Sequence, residues 1–263
     1  MSIQDDTYRT IDNLLSSHDP ADLRRGLTLV QSEAPKVDPE GCERLCEVVL
    51  PIFYIDPLDH PELVPVIEEA IMVVAGLGEA VIPPLIQNLE MGDVKAQMAI
   101  ASALGWMGAR AVDPLIAEYN ATCPDPPCRA FLLYALGKIK APEVVKAAPL
   151  AVEAAGSPDL ELRDTATRAI GKFAESIPAG GLPDDMRLAF LDALQANLSD
   201  HSPGVRAKAV RSLGKLAKYG HLNGRERWEL ATRLRRILGE DEGFEWDRAY
   251  VVRKEAKEAL SYL

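Results

Sequence analysis

Eight residues after an arginine, a glycine returns. The interval runs from Arg206 to Gly214, from Arg163 to Gly171 and from Arg129 to Gly137, and it recurs with one end changed from Gln97 to Gly105 and from Arg253 to Ser261. Looser copies run from Ile67 to Ala75 and from Arg24 to Ser32. In the clearest copy, residues 202–220, Pro203 suits a first helical turn, where its missing N–H is no loss. Val205, Ala209, Ser212, Leu213 and Leu216 then follow at helical spacing. Gly214 falls inside that helix at a cost of about 1 kcal/mol relative to alanine, which predicts another backbone too close for a side chain. Each copy follows a second apolar helix, so the repeating unit is a helix pair. Pairs of this kind cannot bury their apolar faces alone and must stack on their neighbours, which predicts an all-α solenoid.

The runs GEAVIPPLIQNLEMGDVKAQMAIASALGWMG (78–108) and GARAVDPLIAEYNATCPDPPCRAFLLYALGKI (108–139) carry a more specific likeness. They resemble HEAT repeats, in particular the short HEAT-like kind first named in phycobilisome lyases. The resemblance implies an α-solenoid (α-α superhelix) of about seven helix pairs filling residues 1–263 as a single array, with weak repeats over 1–78 and clear ones over 79–263. It is specific for architecture. For function it is not, because scaffolds, adaptors and a few enzymes share such repeats.

Composition agrees with stacked helices: 48% of the residues are apolar but only 6% aromatic. In chain order, residues 5–16 read as a capping helix with Ile11, Leu14 and Leu15 on one face. Asp19-Pro20 opens a helix carrying Leu23, Leu27 and Val30, and residues 40–54 read as a helix with Leu45, Val49, Ile52 and Phe53 in the core. The run DPLDHP is a connector. Ser157-Pro158 reads as the start of a helix ending near Ser176, and IPAGGLPDD (177–185) as a flexible insertion. The last unit starts near Asn223, with Tyr219 and Trp228 as packing residues.

Several chemistries are weighed against residues. Cys42 and Cys46 share a helix face and Cys123 and Cys128 bracket a turn, but the short spacing of metal-ligand cysteines is absent, so reduced thiols and no metal or other cofactor are expected. The iron-binding deoxyhypusine hydroxylases, which are HEAT-like, need His-Glu dyads. Here His18, His60, His201 and His221 precede Asp19, Pro61, Ser202 and Leu222. A net charge of −11 disfavours a nucleic-acid coat and with it a DNA glycosylase-like reading. No residue set specifies a bilin pocket, and no apolar run reaches the 18 or so residues that span a membrane. The polar, acidic N-terminus does not read as a signal, so a cytoplasmic protein is expected.

Charge is distributed unevenly. Residues 1–141 hold 21 acidic and 10 basic side chains, whereas 142–263 hold 19 of each, and 201–239 alone hold ten basic against two acidic. With Val205, Ala209, Leu213 and Leu216 inward, Lys208, Arg211 and Lys215 face outward on one stripe. The HEAT resemblance implies that the second helix of each pair lines a concave face. Carried through the repeats, the outward positions give Met72, Trp106 and Tyr134 as apolar and aromatic contacts. The same positions give Lys138, Arg168, Lys172, Arg211 and Lys215 as a basic run joined by Lys208. Arg129, Arg163, Arg206 and Arg253 read instead as a structural ladder reaching nearby acids, with Asp125 and Asp159 at hand four residues earlier. The expectation is a non-catalytic protein-binding scaffold or adaptor whose partner presents an acidic segment with an apolar anchor. A HEAT-like enzyme or cofactor handler, bilin lyase-like or DNA glycosylase-like, is the alternative.

Overall fold

The computed structural model describes residues 5–91, 93–121, 125–240 and 246–263. Their contacts group into two compact units, Met1–Ala121 and Thr122–Leu263. Among the described residues there are fourteen α-helices and no strands, the number that seven helix pairs require. The first unit holds α1 (Asp5–Leu15), α2 (Pro20–Glu33), α3 (Pro39–Val49), α4 (Val64–Gly76), α5 (Ile82–Met91), α6 (Val94–Met107) and α7 (Val112–Ala121). The second holds α8 (Pro126–Leu136), α9 (Ala148–Ala155), α10 (Leu160–Ser176), α11 (Asp184–Asn197), α12 (Pro203–Lys218), α13 (Gly224–Leu238) and α14 (Tyr250–Leu260).

Within each unit the second helices of successive pairs pack in a row. In the first unit α2 packs on α4 and α4 on α6; in the second, α8 packs on α10, α10 on α12 and α12 on α14. The first helices form an outer layer, α5 against α7 and α9 against α11. This two-layer stacking is an α-solenoid.

Helix starts follow from local chemistry. Asp19, Asp38, Asp93, Asp159 and Asn223 each accept a backbone N–H of the first turn, and Pro20, Pro39, Pro126 and Pro203 occupy the opening positions. The reach of Asp159 moves the start of α10 to Leu160, two residues past Pro158. Residues 40–54 are not one α-helix. Pro51 has no N–H to continue the ladder, so α3 stops at Val49 and Leu50–Tyr54 tighten into a 3-10 turn that still buries Ile52 and Phe53. Residues 177–185 are tethered: Ile177 and Leu182 are buried, and the Gly181 N–H donates to the Pro178 carbonyl.

Two glycines set the spacing between second helices. A Cβ on Gly171 would lie 2.4 Å from Ser212 Oγ and 2.9 Å from Ser212 Cα, and one on Gly214 would lie 2.8 Å from Ala259 Cβ. In both cases the glycine of one repeat meets a small residue of the next. Gly137 shares their place in the interval but not their role: it follows the last residue of α8, and no atom of another helix comes nearer to its Cβ position than Lys172 Cβ at 3.7 Å.

Candidate functional site

The ladder arginines hold consecutive repeats together. Arg163 on α10 donates from Nε to Asp200 Oδ2 at 2.6 Å and from Nη1 to the carbonyls of Ser157 and Pro158 at 2.7 and 3.1 Å. Arg206 on α12 repeats the figure one unit on, with Asp247 at 2.7 and 3.0 Å and the carbonyls of Asp200 and His201 at 2.8 and 3.2 Å. Each guanidinium therefore clamps its own preceding loop and grips the next one. Arg253 keeps the loop bonds, to the Asp247 and Arg248 carbonyls, and stacks on Trp246 at 4.2 Å. Arg129 is also engaged.

The acids differ from those expected. Asp159 gives its carboxylate to the cap of α10 and only its carbonyl to Arg163, at 3.3 Å, while the paired acids Asp200 and Asp247 come from the following repeat. Both stand six residues before a ladder arginine, a recurrence visible in the sequence. Burial alone pushes these carboxyls up. The guanidinium and backbone N–H bonds outweigh it and hold both below the usual range.

Most of the basic run is neutralised within the chain. Arg211 pairs with the buried Glu255, donating from Nε at 2.8 Å, and Lys208 pairs with Asp164. Glu175 accepts from three lysines: Lys140 at 2.7 Å, Lys172 at 3.2 Å and Lys215 at 2.7 Å. Burial would raise the Glu175 carboxyl, yet hydrogen bonds from Lys140 and Lys215 bring it down to about 2. Burial draws the Lys215 ammonium below its usual value against the pull of Glu175. Among the described residues the basic run is therefore a set of ion pairs with two exceptions.

Those exceptions are Lys138 and Arg168, which have no ion pair among the described residues and lie 5.2 and 5.4 Å from the ring centroid of Tyr134. The repeat register explains why Arg168 is free. Arg168 has the place in α10 that Arg211 has in α12, five residues after the ladder arginine. In α14, Glu255 waits two residues after its ladder arginine to receive Arg211, but the same place in α12 holds Lys208. Around Tyr134 these side chains, with Lys140, Thr165 and Lys172, line a cleft of about 80 Å³ floored by Leu133 and Ala169. No carboxylate lines it. A neighbouring cleft of about 250 Å³ shares Lys172 and balances Arg211, Lys215 and Lys218 against Glu175, Glu255 and Glu258.

Met72 and Trp106 belong to the first unit. Met72 on α4 is 47% exposed and lines a cleft of about 220 Å³ with Ala34, Pro35 and Gly76, and Trp106 on α6 is 65% exposed. Trp228, expected to pack, is 68% exposed on α13.

Cys42 and Cys46 are free and buried, and burial pushes the Cys46 thiol up to about 12, far from the thiolate that metals require. Cys128 is disulfide-bonded, against the expectation of reduced thiols, and Cys123 lies outside the described residues. Among the described residues no three His, Cys, Asp or Glu side chains gather as metal ligands, and no single helix is long and apolar enough to cross a membrane.

Stacked helix pairs, a glycine-to-small-residue seam and an arginine ladder define an α-solenoid. The family model of the HEAT repeat matches residues 190–220, which cover the second half of α11 and all of α12. The fold is similar to the complex of CpcE and CpcF of phycocyanin lyase from Nostoc sp. PCC7120, with a TM-score of 0.54 and 22% identity over 69% of this chain and 99% of that one. It is also similar to Kap121p bound to Nup53p, with a TM-score of 0.61 and 17% identity over 98% of this chain and 29% of that one. An engineered protein matches with a TM-score of 0.51 and 19% identity over 98% of this chain and 68% of its own. At such identities the likenesses show the fold alone. No curated protein matches the chain in sequence.

Proposed function

We propose that the chain is a non-catalytic protein-binding scaffold and that its second unit engages an acidic segment of a protein partner at the Tyr134 cleft. The observation that carries this reading is a cleft lined by four cations and no carboxylate, in a chain with eleven more acids than bases. Lys138 and Arg168 have no ion pair among the described residues, so a partner's carboxylate gains two charges at the cost of no pair described there. Lys208, Arg211 and Lys215 serve first to join repeats, and Lys172 pairs with Glu175 on its own helix. Met72 and Trp106 offer the first unit's own apolar contacts, which suit a second segment of the same partner or a second partner.

The test compares what the parent chain and the double variant Lys138→Glu, Arg168→Glu retain from extracts of the native host. The reading expects a protein with an acidic segment to be lost from the variant while the variant's melting curve matches the parent. Retention of the same proteins by a folded variant would place the binding surface elsewhere. A coloured or metal-loaded sample would favour a cofactor handler instead.

A further inference from the structure

We infer that the Tyr134 cleft seats a phosphoryl group carried on a side chain of the partner's acidic segment, an assignment that rests on the reading above. Charge points to it first. Lys138, Lys140, Arg168 and Lys172 line the cleft, and among the described residues the only carboxylate bonded to any of them is Glu175, which stands outside the lining and is shared with Lys215. One carboxylate thus serves three lysines and leaves Lys138 and Arg168 untouched. A partner carboxylate brings one negative charge to this surplus, whereas a phosphorylated side chain brings about 1.5 to 2 at pH 7.

Donor geometry points the same way. Thr165 on α10 adds a hydroxyl with no hydrogen bond among the described residues, so the lining offers ammonium, guanidinium and hydroxyl donors from α10 and from the chain just after α8, and no carboxylate. A phosphoryl group presents three acceptor oxygens and can use donors from several directions; a carboxylate has two in one plane. Size sets the limit. A cleft of about 80 Å³ has room for one phosphoryl group between Tyr134, Lys138, Arg168 and Lys172. The neighbouring cleft begins at the shared Lys172 and gives adjoining residues of a peptide somewhere to lie, which favours a phosphorylated side chain over the free ion.

The experiment titrates the full chain with one acidic, serine-centred peptide in three forms: phosphorylated, unmodified, and with glutamate in place of the serine. Inorganic phosphate serves as competitor. The phosphorylated form should bind at least about tenfold tighter than the glutamate form, in keeping with its second charge and third oxygen. Arg168→Gln and Thr165→Val should each remove most of that advantage, and Lys208→Gln, whose lysine lies outside the cleft and pairs with Asp164, should keep it. Equal binding of the phosphorylated and glutamate forms would overturn the phosphoryl assignment and leave the acidic-segment reading standing. Failure of both forms to bind would overturn the two together. A preference for phosphate that survives both cleft variants would overturn the location. Inorganic phosphate binding as tightly as the phosphopeptide would overturn the side-chain source.

Discussion

At the scale of the residue, one side chain does two jobs in each ladder step, and the cost of removing it should show. Arg163→Ala and Arg206→Ala each strip a part-buried aspartate of its guanidinium and free two loop carbonyls, so each should lower stability by about 1–3 kcal/mol in thermal melts. Lys138→Ala and Arg168→Ala leave no acid unpaired and should melt close to the parent. Acid should find the same joints. Asp200, Asp247 and Glu175 have folded pKa values below their ordinary ones, so the unfolded chain takes up protons first as pH falls. For Glu175 the contribution is fully present above the usual 4.5 and is lost as pH falls towards about 2. Melting across that window should decline less steeply in Glu175→Gln than in the parent, and an identical decline would remove Glu175 from the account. The sequence made the arginines legible because they recur. Their acids were misplaced because a neighbour four residues earlier is close along the chain, whereas the partner that wins is 37 or 41 residues away, across a repeat boundary.

At the scale of the element, the glycine seam decides how closely second helices approach. Replacing a helical glycine by alanine ordinarily gains about 1 kcal/mol, yet Gly171→Ala puts its Cβ into Ser212 and overpacking of this kind costs about 1–3 kcal/mol. Gly171→Ala should therefore lower the melting temperature while Gly137→Ala, with no helix pressing on it, should not. Equal melting of the two variants would show that the seam has room. Helix pairs and their inward faces were readable because a period of 3.6 survives in every repeat: Val205, Ala209, Leu213 and Leu216 are all buried. The two roles of glycine were not separable, because a helix end and a close crossing ask for the same missing Cβ. Trp228 was misjudged for a related reason. Aromatic character argues for burial, but the outer layer of a solenoid has nothing stacked on it.

At the scale of the whole molecule, charge separates the two units. Residues 1–121 hold 20 acidic and 7 basic side chains, and 122–263 hold 20 and 22. Binding at the second unit should weaken as salt shortens the Debye length from about 8 Å, and Arg168→Gln should slow association, as read by kinetics on the immobilised partner. Arg211→Gln, which orphans the buried Glu255, should act on melting more than on binding. The basic bias of the second half was legible by counting. Which cations stay free was not, since an acid one repeat away decides it. That dependence gives the array a history it could have travelled. If residues 200–246 were excised in one genetic event, Arg163 would meet Asp247 and Gly171 would meet Ala259, so clamp and seam would both re-form. Arg168 would then face Glu255 and lose its freedom. Loss of that one copy would put an acid opposite Arg168 and so change the recognition surface, while clamp and seam kept partners of the same kind.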